Sequence, residues 1–469
     1  MATVTIVRHS HLDLSARIDA EHYSPRFLPI LHRLIELKSV KLRRTLLEPV
    51  KTGHTPSTKN EEFFSSKTVK FIKTDNLRED RIDINDVQYL SELGNSIISQ
   101  SELHVNDVIV TIIGATEEII GRAARIHSDF GRANINQNIA LIRSKIPAGY
   151  LTVFLNSRFG REQLIWLSRQ TGQVNLNCRE VEEIYIPIFS EKLILAIHGL
   201  NNLRHRLLID SIQLFTKAEE ILLIELGLQN WKPVPTLTYT RQYSLASRAR
   251  RIDAEYFHPK YKEIFDKLSP NIRFDQLGRL TTYTKGFEVG GPAYTDIGVP
   301  YWRVSNLTKH GLVDDNVNFI SDKLYDSLST NYEPHQGELL LSKDGTPGLA
   351  YYLETPIKGI VSSGILRLSI VDKIPPFYLE IVLNSLFVQM QIEQDSGGSI
   401  IKHWKPTEMR KTLIPRLSSS LEKEIAAFVK QSHLARKEAK TVLDKAKRAV
   451  EIAIEENEDK ALDYLELDL

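Results

Sequence analysis

The chain has one cysteine in 469 residues. Cys178 therefore has no intrachain disulfide partner, and its sequence neighbours are not those of a metal cluster or an activated thiol, so it is expected to be a bystander. An apolar run of about 18 residues, the minimum for a membrane-spanning helix, is absent. The opening Met1-Ala2-Thr3-Val4-Thr5-Ile6-Val7-Arg8 holds no apolar stretch of signal-peptide length. A cytoplasmic protein without membrane contact is expected. Net charge is only +1, so no whole-chain basic signature marks a nucleic-acid binder. A basic face balanced by acidic segments elsewhere stays compatible with one.

Catalytic motifs are missing as well. No Walker A string is present, so no nucleotide-driven motor is encoded. The Asn/Asp-Pro-Pro-aromatic string and the Gly-rich turn of an S-adenosylmethionine site are absent too, which argues against a base methyltransferase. Glu438-Ala439-Lys440 matches the tail of a nuclease Glu-x-Lys motif but falls inside a heptad helix with no strand beside it. His22, His32, His54, His104 and His127 are scattered, without metal-ligand spacing. The reading is a non-catalytic chain with no metal and no cofactor of its own.

What the chain does have is repetition. Arg17-Ile18-Asp19-Ala20-Glu21-His22-Tyr23-Ser24-Pro25 returns as Arg251-Ile252-Asp253-Ala254-Glu255-Tyr256-Phe257-His258-Pro259, an offset of 234. Phe71 to Leu77 is echoed by Tyr301 to Leu307, Asn106 to Val110 by Gln336 to Leu340, Tyr150 to Ser157 by Tyr378 to Ser385, and Ile186-Pro187 by Ile414-Pro415. The offset drifts only to 228, as two copies of one domain with small loop differences would give.

Between the landmarks, short β-branched and aromatic runs at Val69–Ile72, Val108–Ile113 and Ile139–Ile142 are broken by turn residues and read as strands. Helices are predicted over Arg26–Leu37 and Leu151–Ser168. Past each Ile-Pro the period becomes that of a long helix. In the first, Leu193, Ile197, Leu200, Arg204, Leu207, Ser211, Leu214, Ala218 and Ile221 alternate steps of four and three, and Gly227 stops it. In the second, Leu421, Ile425, Phe428, Ser432, Ala435, Ala439, Val442, Ala446, Ala449 and Ala453 do the same, with small residues that allow close approach. The expected fold is α+β: two duplicated globules joined by two long antiparallel coiled-coil helices with an internal pseudo-two-fold. Leu200, Leu207, Leu214, Ile425, Phe428, Ala435 and Val442 are expected in the seam. The divisions are 1–190 for the first globule with its lead-in, 191–228 for the first helix, and 229–258 for an extended connector and repeated lead-in. The second globule takes 259–420, the second helix 421–458, and a solvated acidic tail 459–469.

Polar loops sit at matching places in both copies. Gly53, His54 and Thr55 belong to a Gly/Pro-punctuated loop whose counterpart holds Lys285, Gly286 and Phe287. Lys73 aligns with Arg303 and Asn76 with Asn306. Asn134, Asn136, Gln137 and Asn138 form an amide cluster, and Lys402, His403 and Lys405 lie in a late basic-aromatic loop. Asn and Gln bond adenine bidentately, and Arg and Lys reach guanine or phosphate, so such loops suit base readout. The alternative for each amide is a turn or cap residue that satisfies backbone groups.

Taken in order, the duplicated Arg-Ile-Asp-Ala-Glu, the Thr-Gly-x-Thr-Pro-Ser loop at 52–57, Ile72 to Leu77, Asn106-Asp107-Val108, Ile135 to Ala140 and the two Ile-Pro landmarks resemble the specificity subunit of type I restriction-modification systems. The resemblance spans nearly the whole chain. It implies two target recognition domains, each reading one half of a bipartite site in double-stranded DNA, with helices that set the spacer and dock two methyltransferase (modification) subunits. Restriction subunits with translocase activity would attach through these. S-adenosylmethionine, ATP and Mg would then be held by the partner subunits. In the second copy Ser362-Ser363-Gly364 stands where the first has Asn136-Gln137-Asn138, a departure that suits two different half-sites. A coiled-coil scaffold without DNA contact, or a DNA-modifying enzyme with an unrecognised active site, are the competing readings.

Overall fold

Two antiparallel four-stranded sheets carry the chain, one in each of two compact units. The computed structural model describes residues 22–171, 173–314, 316–396 and 402–466. The first unit comprises Met1–Leu207 with Lys437–Leu469, and the second Leu208–Arg436. The division thus falls inside both long helices, Glu191–Glu225 and Ser419–Glu455.

In the first unit the strand order is Lys51–Thr52, Ile139–Ile142, Val108–Thr111, Ala123–Arg125. Every residue of Val108–Thr111 and Ile139–Ile142 is buried, as strands covered on both faces require. Alternate side chains separate the two cores. Val108, Val110, Ala140 and Ile142 pack with the fully buried helix Ala148–Asn156, while Ile109, Ile139 and Leu141 join Ile72, Leu77 and Ile135 on the other face. A smaller sheet sets Val69–Ile72 between Ala133–Ile135, parallel to it, and Gln88–Leu90, antiparallel.

The second unit orders Thr281–Lys285, Ile365–Ile370, Glu338–Ser342 and Ala350–Tyr352 in the same way. Leu339, Leu341, Leu366 and Leu368 face the helix Pro376–Asn384, and Leu340 and Ile365 face Trp302 and Leu307. Its smaller sheet places Val299–Trp302 beside Ile360–Val361, again in parallel.

Buried hydrogen bonds recur residue for residue. Tyr150 Oη donates to Pro187 O at 2.6 Å, and Tyr378 Oη to Pro415 O at 2.9 Å. Asn156 Nδ2 donates to Ala123 O at 2.8 Å while Oδ1 accepts from Ala123 N, and Asn384 treats Ala350 identically. Gln163 brackets Tyr185, and Gln391 brackets Leu413. Asp107 accepts from His104 N at 2.7 Å, and Glu338 from His335 N at 2.8 Å. These last bonds shift one expected match by a residue. Asn106 corresponds to Gly337 and not to Gln336, both being in the left-handed region with φ of 72° and 90°.

Other expectations are corrected. The helix predicted over Leu151–Ser168 is two, Ala148–Asn156 and Arg158–Leu167. Between them Ser157 turns extended, and its hydroxyl donates to Phe154 O and caps Gly160 N. The connector is irregular up to Gln242 but then forms a helix, Tyr243–Ala249, ended by Arg250 at φ 52°. The acidic end is not a free tail, since Glu458–Glu466 is helical and buries Ala461 and Leu465 against the first unit's core.

In the second unit the paired helical segments run antiparallel. Ser211 Oγ meets Ser432 Oγ at 3.0 Å, and further along the first helix Lys217 Nζ lies 4.3 Å from the Phe428 ring centroid, earlier on the second helix. Ile425, Ala435 and Val442 are buried, but Leu200, Leu207, Leu214 and Phe428 are only half-buried. On the first helix the fully buried positions include Asn201, Phe215 and Leu222, one residue past Leu200, Leu214 and Ile221. A helix that keeps 3.6 residues per turn drifts about 20° per heptad away from a 3.5 repeat, and the buried stripe follows that drift.

Each sheet also leans a hairpin on these helices within its own unit. Asp80, at the turn between Leu77–Arg78 and Arg81–Ile82, is buried against Arg204 Nη1 at 2.8 Å and Asn201 Nδ2 at 2.8 Å. Burial holds the Asp80 carboxyl above its usual range despite the Arg204 charge. The corresponding turn of the second unit places His310 edge-on to Phe215, ring centroids 4.9 Å apart.

Candidate nucleic-acid interface

The site is built where the first strand of each main sheet ends. Thr52 pairs with Ala140, and the next residue, Gly53, passes so near the neighbouring chain that a Cβ there would lie 1.7 Å from Ile135 O. Lys285 pairs with Leu366, and a Cβ on Gly286 would lie 2.2 Å from Ser362 O. Only glycine permits that approach. It pins the loop that follows across the segment preceding the next strand. That segment is held in turn by Asn136 N donating to Ile72 O at 3.1 Å, and in the second unit by Ser362 N donating to Trp302 O at 2.8 Å.

At the outer end of the crossing, Thr55 Oγ1 donates to Gln137 Oε1 at 2.5 Å. In the second unit the same place holds Ser363 Oγ donating to Glu288 Oε2 at 3.0 Å. Gln137 and Glu288 are exposed, as are His54 and Lys285. Asn138 is half-buried and its N–H donates to Asn136 Oδ1. Phe287 is not free for stacking on a base, since its ring packs 4.9 Å from Tyr332.

Several residues expected to read bases serve the framework instead. Asn76 Oδ1 accepts from Lys73 N at 3.0 Å and its Nδ2 donates to Asp83 O at 3.2 Å. Asn306 repeats this with Arg303 N and Val313 O. Both amides are buried and taken up by backbone, as is Asn136, while Asn134 is buried among Asn95, Ile98 and Ser101. Lys73 is half-buried with its ammonium 5.7 Å from the Phe71 ring, and Arg303 donates to Asn316 O at 3.1 Å.

The late loop meets the segment after Glu338–Ser342 through a separate two-stranded pair, Asp344–Gly345 and Lys402–His403; Ile400 and Ile401 lie outside the described residues. Lys402, His403 and Lys405 are exposed, Trp404 between them is buried in the core, and His403 Nδ1 lies 2.8 Å from Asp344 Oδ1. The first unit's counterpart is the antiparallel pair Arg169–Thr171 and Gln173–Asn175, strands that no sequence expectation covers, against Ile113–Gly114. Asp344 and Glu288 are not among the residues expected from the sequence, and Ser363 is marked there only as part of Ser362-Ser363-Gly364, where the second copy departs from the first.

The signature's first copy, Arg17 to Glu21, lies outside the described residues. In its second copy Arg251 pairs with Asp253 at 2.7 Å and stacks 4.3 Å from the Tyr256 ring, so the motif buckles its own turn. Cys178 is half-buried and burial raises its thiol, the opposite of activation. Among the described residues, no group of three or more His, Cys, Asp or Glu is placed to hold a metal, and no helix is long and apolar enough to cross a membrane.

Comparison with known proteins finds the type I restriction enzyme EcoBI specificity subunit of Escherichia coli, 24% identical over 127 residues. The match spans 26% of this chain and about a quarter, 25%, of that relative. Among solved structures, the S subunit of a type I restriction-modification system from M. genitalium aligns over 91% of this chain and 95% of its own, with 13% identity and a TM-score of 0.37. The HsdS subunit from Thermoanaerobacter tengcongensis aligns over 90% and 95%, with 15% identity and a TM-score of 0.27. No family model matches. The chain is similar to type I restriction-modification specificity subunits, the same resemblance that its motifs carry.

Proposed function

We propose that this chain is the DNA-recognition subunit of a type I restriction-modification complex, without catalytic activity of its own. Its two units are duplicated target recognition domains, each reading one half of a bipartite site. The paired helices set the spacer and dock two methyltransferase subunits, and restriction subunits attach through those. S-adenosylmethionine, ATP and Mg belong to the partners, and the complex works in the cytoplasm.

The observation that supports this best is the recurrence of one buried framework, Tyr150, Asn156 and Gln163 against Tyr378, Asn384 and Gln391, beneath loop crossings whose exposed groups differ. A scaffold has no use for paired polar crossings, whereas two readers of different half-sites require them. Mapping methylated bases in the host genome with and without this gene tests the reading. Methylation at a two-part motif with a fixed non-specific spacer should vanish with the gene. A methylation pattern that survives unchanged would contradict it.

A further inference from the structure

The loop crossing keeps its backbone arrangement in both units and exchanges side chains on it, Asn136 for Ser362 inside and Gln137 for Ser363 outside. Underneath, a glycine lies against a strand carbonyl in both, at Gly53 and Gly286, and the same backbone bonds hold the facing segment. Above it, a hydroxyl fixes one oxygen of a longer side chain in both, but the loops have traded roles. Thr55 follows the glycine and orients Gln137, whereas Glu288 follows the glycine and is oriented by Ser363. Orienting one oxygen removes rotamer freedom before any ligand arrives.

From this we infer that Gln137 and Glu288 are the matching base-reading side chains of the two half-sites, Gln137 taking adenine and Glu288 taking cytosine. The inference rests on the DNA-recognition reading above. With Oε1 held by Thr55, the Gln137 amide keeps a donor and a second acceptor lone pair, the pair of functions that adenine N7 and N6 require. Glu288 is acceptor-only, and beside a phosphate backbone a carboxylate is repelled unless a base offers it an amino group. Cytosine N4 does so in the major groove. Lys285, exposed three residues before Glu288, is placed to offset that repulsion at a phosphate. Tyr301, whose hydroxyl donates to Phe287 O at 2.8 Å, backs the Glu288 loop from the core side.

The test uses the complex that the tagged full chain forms in its host, with bound duplexes selected from a randomised pool and sequenced. The wild type should enrich a two-part motif. Glu288→Gln should shift one position of one half from cytosine toward adenine by roughly 5- to 150-fold, the discrimination of one good contact, and leave the other half unchanged. Gln137→Glu should make the reverse shift in the other half. A motif that stays the same in both variants, or is lost throughout in either, overturns the assignment. A wild-type complex that enriches no motif overturns the DNA-recognition reading itself.

Discussion

At the scale of single residues, the same side-chain chemistry serves two ends, and burial separates them. Asn76, Asn306, Asn134 and Asn136 all carry amides suited to a base edge, yet each is closed inside the fold on backbone or neighbouring amides. Gln137, one residue beyond Asn136, is exposed. Burial also sets an acid limit on the first unit. His127 stacks on His205 with ring centroids 3.5 Å apart, and desolvation, with His205 and Arg125 nearby, depresses its pKa to about 3. The unfolded chain therefore binds a proton at His127 below about pH 6.5 that the folded chain refuses, so stability falls as pH drops from there toward 3. His127→Gln should flatten that loss. Urea midpoints of the full chain at pH 7 and pH 4.5 should drop less for the variant than for the wild type, and equal drops would place the acid sensitivity elsewhere.

At the scale of elements, the helix stripe decides what a seam position is. Phe215 is buried at 2% exposure and Leu214 is half-buried, although the heptad places Leu214 inside. Phe215→Lys should cost several kcal/mol through an unpaired buried charge, and Leu214→Lys about 1 kcal/mol or less. Thermal denaturation of both variants checks this, and the reverse ranking would restore the strict heptad. The long helices were legible because steps of four and three persist for about eight to nine turns at 3.6 residues each, with only Arg204, Ser211 and Ser432 polar among them, and the main strands because Val108–Val110 and Ile139–Ile142 are continuous apolar runs. The break at Ser157 was not, because a capping hydroxyl in a helical pattern looks like any surface serine. The loop crossing was half legible. Gly53 and Gln137 stood out by type, but the pairing of Glu288 with Ser363 joins residues 75 apart, and nothing local announces it.

At the scale of the whole molecule, the proposed function has one chain read two half-sites while its helices fix the distance between them. Inserting four residues into each long helix, after Leu207 in the first and after Arg436 in the second, lengthens both by ~6 Å. That is the rise of about two base pairs at ~3.4 Å each. The insertion also turns each helix by ~40° beyond a full turn, against ~70° for two base pairs of DNA, so part of the change is absorbed by bending or a smaller shift. The most direct measurement is the genome-wide methylation pattern of a host carrying the doubly extended chain in place of the original. The expected result is the same two half-site sequences separated by one or two more base pairs. An active variant that methylates the original motif with its spacer unchanged would contradict the claim.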